Sequence, residues 1–377
     1  MKRVNNIYND ITDIDVIMDM YDKVIHKNMK NKRKLEYFDN YYCENLKAIK
    51  EELMTKQYEP KKYNIFLIRE PKYRIIMGQN VPDKIVNHLV AKYFLVPYFE
   101  KDFITTNVAT RKGMGTHYGL KLFKQYYNNM KINHNKFYVL KFDIKKYFYS
   151  LDHNIIKELI RRKIKDRDVI NLIDKIIDST DKEYVNIKIN KLKENRMKKI
   201  QDSNTLKQIQ EIPTYEQGKG FPIGNMTSQF FGIMYLNELD HYIKEVLGIK
   251  YYERYMDDGI LIHHDKDYLK YCFKKIEELI QDKYKIQLNK NKSKIYSNKE
   301  EIEFLGFRFI TKNNRIIVKV RNGTKKRFKR KMKKIDFLYT NNLIDYAKVQ
   351  NIKASYLGHL KHGDCKQLVN RHLGIYL

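Results

Sequence analysis

The chain has 377 residues, 42% of them hydrophobic with 18 Phe and 31 Tyr, enough for a sizeable buried core, so a disordered chain and a small disulfide-stapled domain are excluded. Lys and Arg number 75 against 45 Asp and Glu, a formal net charge of +30 that points to a polyanionic partner, although a coding bias toward Lys, Asn, Ile and Tyr would inflate the same count. The three cysteines (Cys43, Cys272, Cys365) form no C-x-x-C pair, the N-terminus lacks the apolar core of a signal peptide, and no apolar run nears ~18 residues; a cytoplasmic, reducing compartment without membrane association is expected.

Residues 1–60 read as helical, with Ile14, Ile17, Met18, Tyr21 and Ile25 at helical spacing and Leu46, Ile49, Leu53 and Met54 repeating the pattern. Residues 64–77 read as strands with a hairpin turn at Glu70-Pro71. A helix is predicted over 82–98, a Gly-rich loop over 106–118, a further helix near 117–130 and a short apolar strand over 137–143. Asp152 is a plausible N-cap for a helix to Ile164. Residues 181–215, rich in Lys, Asn and Gln with little periodicity, read as an insertion, partly helical or mobile. A helix opening at 221–224 and running to about 247 is followed by a hairpin over 251–263 with Asp257-Asp258-Gly259 at its turn, then an amphipathic helix over 267–283. Strands are predicted over 302–309 and 315–320, and Lys- and Arg-rich helices over 324–334 and 343–360. The fold class is α+β, because the strand pair that carries the acidic dipeptide is an antiparallel hairpin.

Two adjacent carboxylates between apolar strands repel each other unless a cation neutralises them, although a solvated Asp-Asp-Gly turn is common. A third carboxylate, Asp143, ends the apolar strand over 137–143, and three such groups are what a two-metal phosphoryl-transfer site needs. The Gly218-Lys-Gly-Phe-Pro222-Ile223-Gly224-Asn-Met-Thr-Ser-Gln229 segment has the glycines that let a backbone approach a ligand closely. The histidines of His263-His264-Asp265, and His359 with His362, are read as a strand end and a helix surface rather than as metal ligands.

In this order and spacing the segments resemble the reverse transcriptases among right-handed polymerases. Asp143 matches the family's first metal-binding aspartate and Tyr255-Met256-Asp257-Asp258 its Y-x-D-D box. Leu288-Asn-Lys-Asn-Lys292-Ser293 resembles the lysine-bearing motif and Phe304-Leu-Gly-Phe307 the primer-grip turn. Pro71-Lys72-Tyr-Arg74-Ile75 resembles the fingers hairpin. Arg111-Lys-Gly-Met-Gly-Thr-His117 and Ser355-Tyr-Leu-Gly-His-Leu-Lys-His362 resemble a fingers motif and a thumb helix of bacterial members. The resemblance covers about residues 61–377.

The resemblance implies a right-hand polymerase with an N-terminal helical extension over 1–60, fingers over 61–136, palm over 137–155, further fingers over 156–218 containing the 181–215 insertion, palm over 219–322 and a helical thumb over 323–377. It implies that Asp143, Asp257, Asp258 and the Ile144 carbonyl hold two Mg2+ ions, with Mn2+ able to substitute, and that Lys292 protonates the leaving pyrophosphate. Lys72, Arg74 and Arg111 would meet the incoming deoxynucleoside triphosphate, Phe148 would be a steric gate against ribose, and Pro222, Ile223, Gly224, Gln229 and Tyr255 would line the substrate. Ile223 stands where many retroviral-type enzymes carry Gln; this Ile-Gly-Asn-x-Thr-Ser-Gln version resembles enzymes of diversity-generating retroelements and of bacterial antiphage systems, which copy a dedicated noncoding RNA into DNA from a primer. An accessory protein or an oligomer stays open. The chain leaves no room after the thumb for an intron-type endonuclease or a ribonuclease H domain. A non-catalytic RNA-binding scaffold and an RNA-templated RNA polymerase or primase-like enzyme are the alternatives; the carboxylate trio argues against the first and Phe148 against the second.

Overall fold

The computed structural model describes residues 3–29, 31–69, 72–312 and 315–373. They form two units interleaved along the chain, one made of Met1–Thr105, Ile144–Tyr242 and Ile276–Leu288, the other of Thr106–Asp143, Ile243–Lys275 and Asn289–Leu377.

In the first unit the N-terminal helices Ile14–Met20 and Lys32–Asp39 are capped by Asp13 and Asn31, whose side chains accept backbone N–H bonds from Asp15 and Lys34. Strands β1 (Asn64–Arg69) and β2 (Tyr73–Gly78) pair antiparallel from Asn64↔Gly78 to Arg69↔Tyr73. The expected turn at Glu70-Pro71 lies outside the described residues. Ile65, Ile75 and Met77 face inward and cluster with Val185, Ile189, Ile209, Ile212 and Tyr215. Those last residues belong to the 181–215 stretch, which forms two helices, Glu183–Met197 and Ser203–Gln210, the second capped by Asp202. Each helix buries only two side chains, so the stretch shows no apolar period although it is ordered against the hairpin. Asp152 caps helix His153–Arg161, accepting from the N–H groups of Asn154 and Ile155. The helix expected to open at 221–224 begins only at Met226, because Gly220 and Gly224 hold positive φ angles that a helix cannot use.

In the second unit β3 (Tyr138–Asp143), β4 (Tyr251–Tyr255), β5 (Asp258–His263) and β6 (Lys294–Ser297) form an antiparallel sheet of order β4-β5-β3-β6. Residues 106–108 run along the outer edge of β4, where Arg254 N–H donates to Thr106 O and Val108 N–H to Arg254 O, both at 3.0 Å. A second sheet holds β7 (Ile302–Phe304), β8 (Phe307–Lys312) and β9 (Arg315–Val320). The predicted single strand over 302–309 is thus two, broken at Leu305-Gly306, whose positive φ values of 47° and 84° suit a tight two-residue hairpin. Helix Thr116–Asn133 buries Leu120, Phe123, Tyr127 and Met130, and these join one core with Val139, Ile260, Phe304, Phe309 and Phe328. The basic tail forms helices Asn322–Thr340, Tyr346–Leu360 and Lys366–Leu373. The first buries Phe328, Met332 and Ile335 and exposes Lys325, Lys326, Arg327, Arg330, Lys331, Lys333 and Lys334. Among the described residues no helix is long and apolar enough to cross a membrane.

Gly259 fixes the spacing of β5 on β3. A Cβ there would lie 2.1 Å from the Phe142 ring of its cross-strand partner. Gly259→Ala should lower unfolding free energy by about 3 kcal/mol, the upper end for an overpacked core, and Phe142→Leu in the same chain should restore part of it. Urea melts of the two variants check this; an unchanged Gly259→Ala midpoint contradicts it.

Candidate active site

Strand β3 ends on Asp143, and the pairing register sets Asp143 directly opposite Asp258, the first residue of β5. The hairpin turn is Met256-Asp257 rather than Asp257-Asp258-Gly259, because Tyr255 already pairs with Asp258. Met256 has a φ of 55°, a left-handed conformation that costs roughly 1–2 kcal/mol for a non-glycine residue. That conformation makes the turn tight enough to set Asp257 beside Asp258.

Opposed carboxylates on neighbouring strands lie ~5 Å apart at Cβ, and two unit charges at that range cost about 3 kcal/mol at an effective dielectric constant of 20. The site shows this strain. Burial, then the charges of Asp258 and Asp143, raise Asp257 from 3.8 to about 6. Asp258 is raised too, by burial first, with Lys141 opposing. Two lysines supply the counter-charge. Lys292 Nζ donates to Asp143 Oδ1 at 2.9 Å and Oδ2 at 2.7 Å, and Lys141 Nζ lies 3.5 Å from Asp258 Oδ1. Asn289 Nδ2 donates to Asp143 Oδ1 at 2.9 Å, and the Asp143 N–H donates to Ser293 Oγ at 3.1 Å. Asp143 is 4% exposed, yet Lys292 remains 55% exposed by side chain, a long tether able to leave. Three carboxylates against two ammonium groups leave one negative charge, and the buried Asp258 Oδ1 makes no hydrogen bond. This all-oxygen donor set fits hard divalent cations such as Mg2+ or Mn2+.

Other expected site residues of this unit lie nearby in the fold. Tyr255 closes β4 with its hydroxyl 3.5 Å from Thr116 Oγ1. Arg111 is tied to the loop over 106–118, its Nη1 donating to Asn107 O at 3.0 Å. His117, exposed at the start of helix Thr116–Asn133, stacks on the half-buried His362 at 3.7 Å, and Phe307 packs against the half-buried His359 at 4.9 Å.

The remaining expected residues belong to the first unit. Ile144 is buried and bridges Leu288. Phe148 follows Lys146, whose φ is 52°, and its ring packs on Gly232, where a Cβ would come within 3.2 Å of it. The Phe148 carbonyl accepts from the Phe221 N–H at 2.7 Å, tying the ring to the glycine segment. Pro222 is buried, Ile223 half-buried with its carbonyl accepting from the Met77 N–H at 3.4 Å, Gly224 exposed with a φ of 127°, and Gln229 half-buried in helix Met226–Tyr235. Lys72 and Arg74 are exposed on the β1–β2 hairpin.

Sequence reasoning gave no role to Lys141 or Glu253, nor to Asn289 and Ser293 within the lysine-bearing motif. Lys141 carries no signal until the register brings β3 beside Asp258, and Asn289 and Ser293 take their roles only once the chain returns to Asp143. Glu253 is visible as a charged residue inside an apolar strand: it is fully buried, and neither carboxyl oxygen has a hydrogen-bond partner.

Antiparallel strands gather three carboxylates at one sheet end on a mixed α and β fold. Residues 59–309 match the family model described as reverse transcriptase (RNA-dependent DNA polymerase), about two thirds of the chain, and the chain belongs to that family. It is 28% identical over 177 residues to a putative COX1/OXI3 intron 1 protein of Saccharomyces cerevisiae, a match that covers 46% of this chain and 20% of that protein. Among solved structures it is similar to Candida albicans telomerase in complex with a fragment of telomeric RNA (TM-score 0.43, 11% identity, 76% of this chain and 49% of that one). It is also similar to apo telomerase of Candida tropicalis truncated of its C-terminal domain (TM-score 0.42, 16% identity, 69% and 55%). The chain thus spans a fifth of the curated relative and about half of each telomerase.

Burial alone raises Glu253 from 4.5 to about 9. The folded chain therefore holds a proton that the unfolded chain has lost at any pH between those values, and the stability this proton supports falls as pH rises from about 4.5 to about 9. Glu253→Gln removes that slope. Its melting temperature relative to the wild type should climb steadily between pH 5 and pH 9, by several degrees at about 4–8 °C per kcal/mol for a small domain and less for a chain of this size. A difference that stays flat across the range shows that Glu253 is ionised in the fold.

Proposed function

We propose that the chain is an RNA-directed DNA polymerase that copies a dedicated noncoding RNA into DNA from a primer, in bacterial antiphage defence or in a diversity-generating retroelement. The observation that carries the polymerase reading is the trio Asp143, Asp257 and Asp258, crowded at one sheet end and only partly neutralised by Lys292 and Lys141. A scaffold has no use for such repulsion. The family membership supports the reaction class. The Ile223-Gly224-Asn225 form of the glycine segment supports the narrower role.

In this reading Asp143, Asp257, Asp258 and the Ile144 carbonyl hold two Mg2+ ions. The chemistry that such a pair supplies is a lowered pKa at the primer 3′-hydroxyl and neutralisation of charge on the transferring phosphate. Asp143 and Asp258 present their carboxylates from paired strands, so their separation is fixed by backbone hydrogen bonds rather than by flexible side chains. Lys292 holds the Asp143 carboxylate in place through two hydrogen bonds until a cation competes for it, and its exposed stem lets the ammonium turn to the leaving pyrophosphate. Lys72, Arg74 and Arg111 neutralise the triphosphate, and Phe148 excludes the ribose 2′-hydroxyl. Pro222, Ile223, Gly224, Gln229 and Tyr255 contact the base pair and sugar. The exposed basic face of helix Asn322–Thr340 binds the template–primer backbone through salt-dependent phosphate contacts. We assign fingers to 61–136 and 156–218, palm to 137–155 and 219–322 and thumb to 323–377, after an N-terminal extension over 1–60. The β1–β2 hairpin with its supporting helices supports the fingers assignment, and the sheet that bears the carboxylates supports the palm.

Asp257→Asn should abolish primer extension on an RNA template, by roughly two orders of magnitude or more, while melting temperature and RNA affinity stay near the wild type. Primer-extension rates with all four deoxynucleotides measure this, and full activity in the variant removes the mechanism. Phe148→Ala should raise the ratio of ribonucleotide to deoxynucleotide incorporation on the same template. An unchanged ratio shows that Phe148 does not select the sugar, even where the polymerase reading stands.

A further inference from the structure

His153 opens the helix after Asp152, in the first unit. It is 1% exposed. Its Nε2 lies 2.9 Å from the Gly220 carbonyl oxygen, a contact that is a hydrogen bond only with the proton on Nε2; Thr180 Oγ1 donates to the same oxygen at 2.9 Å and lies 3.4 Å from Nε2. With the proton on Nε2, the Nδ1 lone pair of a neutral ring points outward from that bond. Nδ1 makes no hydrogen bond, and it faces two carboxylates, Asp178 Oδ1 at 3.3 Å and Asp181 Oδ2 at 3.5 Å. A buried lone pair aimed at two anions is repulsive unless a positive charge lies between them.

The distances suit a bound cation. A proton shared in an N–H···O bond brings the heavy atoms to about 2.7–3.2 Å. A tetrahedral Zn2+ with ligand bonds of about 2.0–2.2 Å holds its ligands roughly 3.3–3.5 Å from one another. The three ligand atoms also lie within 4.8 Å of one another. Two of the ligands are held from behind, as ligands of metal sites are. Gly220 O orients the ring and the Gly218 N–H donates to Asp181 Oδ1 at 3.0 Å, while Lys157 Nζ occupies both Asp178 oxygens at 2.7 and 2.6 Å. Asp178 is partly exposed, which gives water access for a fourth ligand. We propose that His153 Nδ1, Asp178 and Asp181 form a structural site for a Zn2+-class divalent cation. The cation ties the first turn of helix His153–Arg161 and the segment Asp178–Thr180 to Gly218–Gly220, the start of the glycine segment. Lys157 competes with the cation for Asp178, so removing its charge tightens binding.

The test uses the full chain with Asp257→Asn and Asp258→Asn, stripped with chelator and titrated with Co2+, whose visible absorption reports tetrahedral coordination, and with Zn2+ followed by thermal melting. One Co2+ per chain with tetrahedral absorption is expected, together with a Zn2+-dependent rise in melting temperature. Asp181→Asn should weaken binding roughly tenfold or more, and Lys157→Met should strengthen it. Absence of tetrahedral absorption in this background overturns the site and leaves an imidazolium paired with two carboxylates. So does an affinity that Lys157→Met leaves unchanged or lowers, a readout that stands even if Asp181→Asn does not fold.

Discussion

Asp143 and Asp258 face each other across β3 and β5 with Asp257 at the adjoining turn, and the repulsion among these three carboxylates is the constraint around which the second unit is arranged. Among the described residues, Lys292 and Lys141 offset it only in part. The antiparallel register fixes the first pair, the left-handed Met256 presses the third against them, and burial raises both Asp257 and Asp258. The sheet can hold such a cluster because β3 is central and its Val139, Leu140 and Phe142 are fully buried. The apolar burial of one strand is worth more than the local electrostatic cost.

Lys292 and Lys141 are the fold's own partial answer to that repulsion. A lysine is a point charge on a long stem, which makes it a replaceable counter-ion where an arginine would clamp a carboxylate through two bonds. Asp143 is therefore kept aimed while staying open to a competing cation. The same logic separates the surface charge from the site. The exposed lysines and arginines of helix Asn322–Thr340 stand away from the buried Phe328, Met332 and Ile335, so the helix is amphipathic and presents its charge to solvent.

The glycine segment of the first unit is held by different means. Its backbone is gathered by side chains and carbonyls from earlier in the chain: the Phe148 carbonyl, His153, Thr180 and Asp181. Positive φ at Gly218, Gly220 and Gly224 explains why the helix starts at Met226, and Tyr215 packed where a Gly220 side chain would stand explains why no other residue serves there. The proposed cation would complete a set of contacts in which the backbone of this segment is the recipient.

The sequence by itself determined the elements with strong period or strong caps: the β3 strand, the Asp152 cap, helix Thr116–Asn133 and the carboxylate hairpin. These are properties of neighbours in the chain, set by side-chain alternation, helical spacing and turn chemistry. What only the tertiary structure decided concerns partners far apart. Lys292 is 149 residues from Asp143, Glu303 is 162 from the Lys141 that reaches its carbonyl, and Asp181 is 37 from the Gly218 it orients. The helices of 181–215 were hidden because two buried side chains per helix leave no period to read, and β6 because a short edge strand of Lys-Ile-Tyr-Ser has no apolar alternation. A pattern along the chain records which face a segment buries; it does not record which distant charge will stand opposite, because strand register and loop closure choose that partner.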